Sequence, residues 1–184
     1  MFAKRVDLLV AGLDELSGTP GAPPEVFERD ARTLGEVVAA GSAAGVVTSP
    51  PYAGTYDYAD HQKLRFDFLA LRHRVLDAGE IGSRRSFEAG EQPHTAWLGQ
   101  LGEVIAAIAR ALRPGREAAL VIGDSVARGR AIYALDDLRE VLGDELVVLA
   151  WASQHRPMHG PVERNAFGDR PKAEHIVVLR RTAE

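Results

Sequence analysis

Cysteine is absent from all 184 residues, which excludes a disulfide framework, a thiol nucleophile and a zinc–thiolate site. No stretch approaches the run of about 18 apolar residues that a membrane-spanning helix needs, and the start of the chain lacks the layout of a signal peptide. Those absences predict a cytoplasmic protein with no membrane partner. Positive charge is also in short supply: 22 Lys and Arg against 26 Asp and Glu leave a net charge of −4. Tight, unaided binding of nucleic acid needs clustered cations for the phosphates, so this balance weighs against it. Arginines do gather locally, at Arg84–Arg85, Arg128 with Arg130, and Arg180–Arg181, the last pair reading as solvated surface. Repeats and low-complexity tracts are missing as well. At 46% hydrophobic, the chain suits one well-buried domain over 1–184.

Periodicity divides that domain. Phe2, Val6, Leu9, Leu13 and Leu16 form one helical stripe, and Ser17 to Pro24 is a Gly/Pro-rich breaker. A short strand is predicted at Glu25–Glu28, then a helix through Leu34, Val37 and Val38 that stops near Gly41. A strand at Gly45–Thr48 follows, and a helix from Tyr56 to about His73 with Leu64, Phe68 and Leu71 facing inward. Residues 74–92 read as an irregular excursion. Pro93 to Leu112 is a long helix with Trp97, Leu101, Ile105 and Ile108 on one face, stopped by Arg113-Pro114-Gly115. The remainder reads as a strand at Glu117–Gly123, a helix at Ile132–Leu142, a strand at Glu145–Ala152, a loop through 157–171 and a strand at His175–Leu179. Alternation of this kind implies an α/β fold: a mainly parallel sheet covered by helices on both faces. The last two strands have no helix between them, which allows an antiparallel ending. In such sheets ligands bind beyond the carboxyl ends of the strands, where Ser49 and Asp124 fall.

The most distinctive run is Val46-Val47-Thr48-Ser49-Pro50-Pro51-Tyr52. Two successive prolines fix two φ angles and remove two backbone donors, and Ser49 before them is pushed toward the extended region. A stiff ledge results, carrying free carbonyls, a small hydroxyl and an aromatic face. It suits a planar ring with an exocyclic amine: the Ser49 hydroxyl and the Pro50 carbonyl accept from the amine while Tyr52 stacks on the ring. As an ordinary strand cap, the same run would use Tyr52 for packing.

Thr48-Ser49-Pro50-Pro51-Tyr52 resembles the catalytic motif of the S-adenosylmethionine-dependent amino-methyltransferases that modify adenine or cytosine in DNA, the enzymes of restriction-modification. The resemblance covers roughly Asp30 to Arg180. It implies the class I methyltransferase (Rossmann-like) sheet with a C-terminal antiparallel strand. It also implies catalytic roles for Ser49, Pro50, Pro51 and Tyr52, with Thr48 and Asp30 on the cofactor side. Asp30-Ala31-Arg32 matches the family's acidic position that meets the adenine amine of the donor, and is equally a helix N-cap. The target base, in DNA or RNA, would be flipped out and stacked near Tyr52, with positioning supplying most of the catalysis.

One departure qualifies these expectations. The family's Gly-rich donor loop, Asp/Asn-Pro-Phe-x-Gly-x-Gly, has no counterpart in this sequence, and the first strands of the family's sheet are missing with it. S-adenosylmethionine is therefore expected to bind this chain alone weakly or not at all. Three readings follow: the C-terminal half of a split enzyme with a companion chain, a truncated frame, or a smaller fold whose third strand closes on the fourth. Self-association is the alternative to a companion. A non-catalytic binding relic is the main competing function. A GDS-type hydrolase using Ser125 in Gly123-Asp124-Ser125 is a third, weakened by the lack of an Asp-x-x-His pair to supply its base. His155 and His159 flank a proline in a loop and read as surface residues, with no metal site.

Overall fold

A computed structural model describes residues 2–16, 21, 23–71, 79–90, 93–168 and 170–183. Its elements are helix α1 (Phe2–Leu16), a 3₁₀ helix (Ala31–Glu36), strand β1 (Val46–Thr48), α2 (Tyr58–Leu69), α3 (Arg84–Ala89) and α4 (Pro93–Ala111). These are followed by β2 (Glu117–Gly123), β3 (Ser125–Ala127), β4 (Arg130–Ile132), α5 (Ala134–Val141), β5 (Leu146–His155), α6 (Gly160–Ala166) and β6 (Ala173–Arg181).

Four strands form a mixed sheet in the order β1-β2-β6-β5. β1 runs parallel to β2, with Val46 opposite Ala118 and Thr48 opposite Leu120. β6 is antiparallel to both β2 and β5, and β5 carries a bulge between Val148 and Ala150. This is a Rossmann-like α/β sheet with the expected antiparallel ending, but only β1 and β2 run parallel where a mainly parallel sheet is expected, and the short helix α6 lies between β5 and β6 where none is expected.

The core lies on one face of the sheet. Ala118, Leu120 and Ile122 of β2 and Val177 and Leu179 of β6 are wholly buried there, because alternate residues of a strand share a face. α4 closes it with the predicted stripe of Trp97, Leu101, Ile105 and Ile108, and α5 adds Leu135 and Leu138. Pro93 opens α4 where its missing N–H costs nothing, and Gly115 closes the turn beyond it at φ +74°. The expectation of helices on both faces holds on that face alone. On the opposite one Val47 is 86% exposed, Ile176 54% and Val147 47%.

Several local expectations are corrected. Glu25–Glu28 forms no strand but exposed, irregular chain, so no third strand closes on β1, and the outer edge of β1 has no partner among the described residues. The helix after Asp30 is a 3₁₀ helix of six residues. α2 forms where expected, yet Leu64, Phe68 and Leu71 are exposed, as are Val6, Leu9 and Leu13 of α1. The loop at 157–171 contains α6. Ser125 to Ile132 makes a hairpin turned by Arg128 and Gly129, both at positive φ, the two-residue geometry that matches strand twist. Residues 79–90 are no excursion: Ile81 and Phe87 belong to the core, and Ser83 caps α3 by accepting from Ser86 N. Residues 74–78, 91 and 92 of the predicted excursion, 72 and 73 at the end of the helix predicted before it, and 17–20 and 22 of the breaker lie outside the described residues.

Candidate functional site

The ledge stands where β1 ends. Ser49 is exposed and Pro50 buried. Tyr52 turns toward the neighbouring strand, and its ring lies so close to the end of β2 that a Cβ on Gly123 would fall 2.7 Å from Tyr52 Cε2. The Tyr52 hydroxyl donates to Glu174 Oε1 at 2.9 Å. Burial, reinforced by that carboxylate, pushes the phenol up to about 12, with the Ser49 side chain pulling the other way. At neutral pH Tyr52 is thus an uncharged ring held at one end by a hydrogen bond and seated on a glycine.

A second layer holds the ledge from behind. The Trp97 indole donates to the Pro51 carbonyl at 3.3 Å, a buried Trp N–H finding the partner it needs. Gly54 N donates to the Gly82 carbonyl at 2.9 Å. Gly82 sits at φ +69°, and a Cβ there would meet Trp97 Cδ1 at 2.6 Å. So residues 79–90, through Gly82 and Trp97, fix the two-proline turn. Sequence reasoning missed this support; the one signal was Gly79-Glu80-Ile81-Gly82, an apolar residue between glycines in a polar stretch.

Beside the ledge opens a cleft of about 930 Å³, lined among others by Phe27, Asp30, Pro51, Tyr58, Phe66 and Glu80. It brings two of the predicted site residues, Asp30 and Pro51, to one place although 21 positions separate them. Asp30 is nonetheless fully engaged as the N-cap of the 3₁₀ helix. It accepts from Arg32 N at 2.9 Å and from the Arg32 side chain, and the guanidinium holds its carboxyl below the usual carboxylate range. Of the two readings of Asp30, the cap is the one observed. Thr48 sits in the β1–β2 ladder opposite Leu120.

Asp124, at the end of β2, is structural. Its buried carboxylate accepts from Ala134 N and Ala173 N, each at 2.9 Å, and lies 3.3 Å from His175 Nε2. Those bonds tie α5 and β6 to the strand end. Ser125 is 2% exposed and its hydroxyl has no hydrogen-bond partner. The imidazole of His175 is taken by Asp124 and by Ser153 Oγ at 2.8 Å, and among the described residues no base is hydrogen-bonded to the Ser125 hydroxyl. His155 ends β5 and His159 precedes α6, both exposed. The arginine clusters largely serve the fold: Arg84 and Arg85 lie 3.9 and 3.7 Å from Asp57, Arg128 donates to the Glu88 carbonyl, and Arg180 pairs with Glu117 at 2.6 Å. No described helix is long and apolar enough to cross a membrane.

Neither a protein-family model nor a curated protein matches this sequence. Among solved structures, one similar chain is a protein from Thermus thermophilus provisionally described as a DNA modification methylase. In its complex with S-adenosyl-L-methionine it shows 21% identity over 84% of this chain and 52% of its own, with a TM-score of 0.47. Its selenomethionine form gives 24% identity, 84% and 51% coverage, and a TM-score of 0.44. TrmN from Thermus thermophilus gives 12% identity, 82% and 48% coverage, and a TM-score of 0.34. This chain therefore spans about half the length of the solved structures it matches.

Proposed function

We propose that this chain carries the base-gripping half of an S-adenosylmethionine-dependent amino-methyltransferase acting on adenine or cytosine in DNA. The observation that carries this reading is the Ser49–Tyr52 ledge: a proline-stiffened turn at a parallel strand end, locked from behind by Trp97 and Gly82, with an uncharged Tyr52 ring held by Glu174. Ser49 and the Pro50 carbonyl accept from the amine of the target base and orient its lone pair outward, while Tyr52 supports the ring. The rigidity of the turn supplies catalysis by positioning, without a strong base. When bound, the donor supplies an electrophilic methyl group.

Fit to that donor is partial. The cleft beside Pro51 has aromatic walls for a nucleoside ring, but the described residues form no glycine turn for an amino-acid moiety, and Asp30 is held by Arg32. We assign the missing part to residues outside this chain. Calorimetry of the chain with S-adenosylmethionine should give no micromolar binding; such binding without a partner overturns the division. Methyl transfer to DNA should appear once a chain bearing the donor loop is added, and vanish with Ser49→Ala. Transfer undiminished by that change removes the ledge from the mechanism.

The open edge of β1 and the exposed apolar sheet face around Val47 and Ile176 support the companion. Light scattering of the chain alone should show self-associated species that a donor-loop chain dissolves into a defined complex. A well-behaved monomer at high concentration counts against both.

A further inference from the structure

Glu80 is the group in the cleft that the fold leaves incomplete. Its side chain is 4% exposed, an expensive place for a carboxylate. Oε1 accepts from Tyr58 N at the start of α2. Oε2 is fully buried and has no hydrogen-bond partner; Arg85 Nη2 stands 3.9 Å away, near enough to offset charge and too far to bond. A buried acceptor without a donor costs about 1–3 kcal/mol, so an oxygen in this state beside an opening is suited to a donor from outside. The walls say what the donor is attached to. Phe27, Tyr58 and Phe66 present aromatic surface, and the charged neighbours Glu28, Arg29 and Asp30 leave the lining negative on balance. Such a lining repels a phosphate and favours an N–H on a flat ring.

We infer that this cleft seats an amine-bearing nucleobase ring and that Glu80 Oε2 accepts the hydrogen bond from its exocyclic amine. The choice of ring rests on the proposed function; the unsatisfied oxygen does not. Two sources offer that chemistry, the nucleoside end of the methyl donor and a base extruded from a nucleic-acid strand.

The test is ligand-detected NMR on the full chain with adenosine and cytidine, each against the analogue lacking the exocyclic amine. At least one amine-bearing nucleoside should bind about tenfold more tightly than its analogue, the worth of one hydrogen bond. Glu80→Gln keeps an acceptor for Tyr58 N but puts an N–H in place of the acceptor Oε2, and should erase that preference at an unchanged thermal midpoint. Phe27→Ala, at an exposed position in irregular chain, should weaken amine-bearing and amine-free rings alike. A wild-type chain without the preference, or a Glu80→Gln chain that keeps it, overturns the inference. Should Glu80→Gln fail to fold, the wild-type preference and the Phe27→Ala result decide. Displacement of the nucleoside by S-adenosylhomocysteine assigns the cleft to the donor, and displacement by a single-stranded oligonucleotide assigns it to the target base; displacement by neither overturns the site. Loss of methyl transfer with the nucleoside preference intact would overturn the enzyme reading and leave the cleft standing.

Discussion

Gly82→Ala should cost about 2–5 kcal/mol, among the largest losses available to a single methyl group in this protein. Two independent penalties combine. A Cβ at φ +69° meets the carbonyl that disfavours left-handed L-residues, and the same atom would lie 2.6 Å from Trp97 Cδ1 and 2.8 Å from its Nε1. Trp97 is nearly wholly buried against the core, so its indole cannot step aside without losing its bond to the Pro51 carbonyl. The thermal midpoint should fall by roughly 4–20 °C, at about 2–4 °C per kcal/mol for a chain of this size. Gly99→Ala is the control: it lies in α4 with open space around the new methyl and should raise stability by up to about 1 kcal/mol. A Gly82→Ala midpoint within a degree of wild type would mean that residues 79–90 do not brace the ledge.

Tyr52→Ala should abolish methyl transfer in the active assembly and destabilise the chain by about 2–3 kcal/mol. From the sequence, a ledge at a strand end is expected to contribute little packing and the midpoint to stay nearly unchanged. The seat on Gly123 and the bond to Glu174 reverse that expectation. Tyr52→Phe keeps the ring, should cost about 1 kcal/mol, and should retain transfer. Its pH dependence is diagnostic. The folded phenol titrates near 12 and the unfolded one at its ordinary 10.0, so the folded state holds the proton more firmly. The stabilisation is complete below pH 10 and is lost as pH rises toward 12. The difference in stability between wild type and Tyr52→Phe should therefore shrink over that interval. A difference that stays constant across it would show that burial and Glu174 together do not raise the phenol.

These two positions also mark the limits of what could be read from the chain. α4, β2 and β6 were legible because each carries its own period: the Trp97–Leu101–Ile105–Ile108 stripe, the apolar run ending at Gly123, and the alternation along 173–181. The two-proline turn was legible because proline restricts its own φ and its predecessor whatever surrounds it. Leu64 and Phe68 show the limit: helical spacing marks which residues share a face, and only tertiary packing decides whether that face is covered.

The sequence alone determined the local geometry of this protein: a stiff Ser49–Tyr52 turn after a short strand, a long amphipathic helix, and an antiparallel closing strand. Tertiary structure decided what the turn rests on and what lies beside it. Tyr52 reaches Glu174 across 122 positions, Trp97 reaches Pro51 across 46, and the cleft gathers Phe27, Pro51 and Glu80 from three separate segments. It also shows Asp30 as the N-cap of the 3₁₀ helix, with the guanidinium of Arg32, two residues on, closed on its carboxylate. The reason is one of range. Backbone sterics and side-chain period act over a few residues and are written in neighbours, whereas burial and hydrogen-bond satisfaction depend on which distant segments the sheet and α4 bring together.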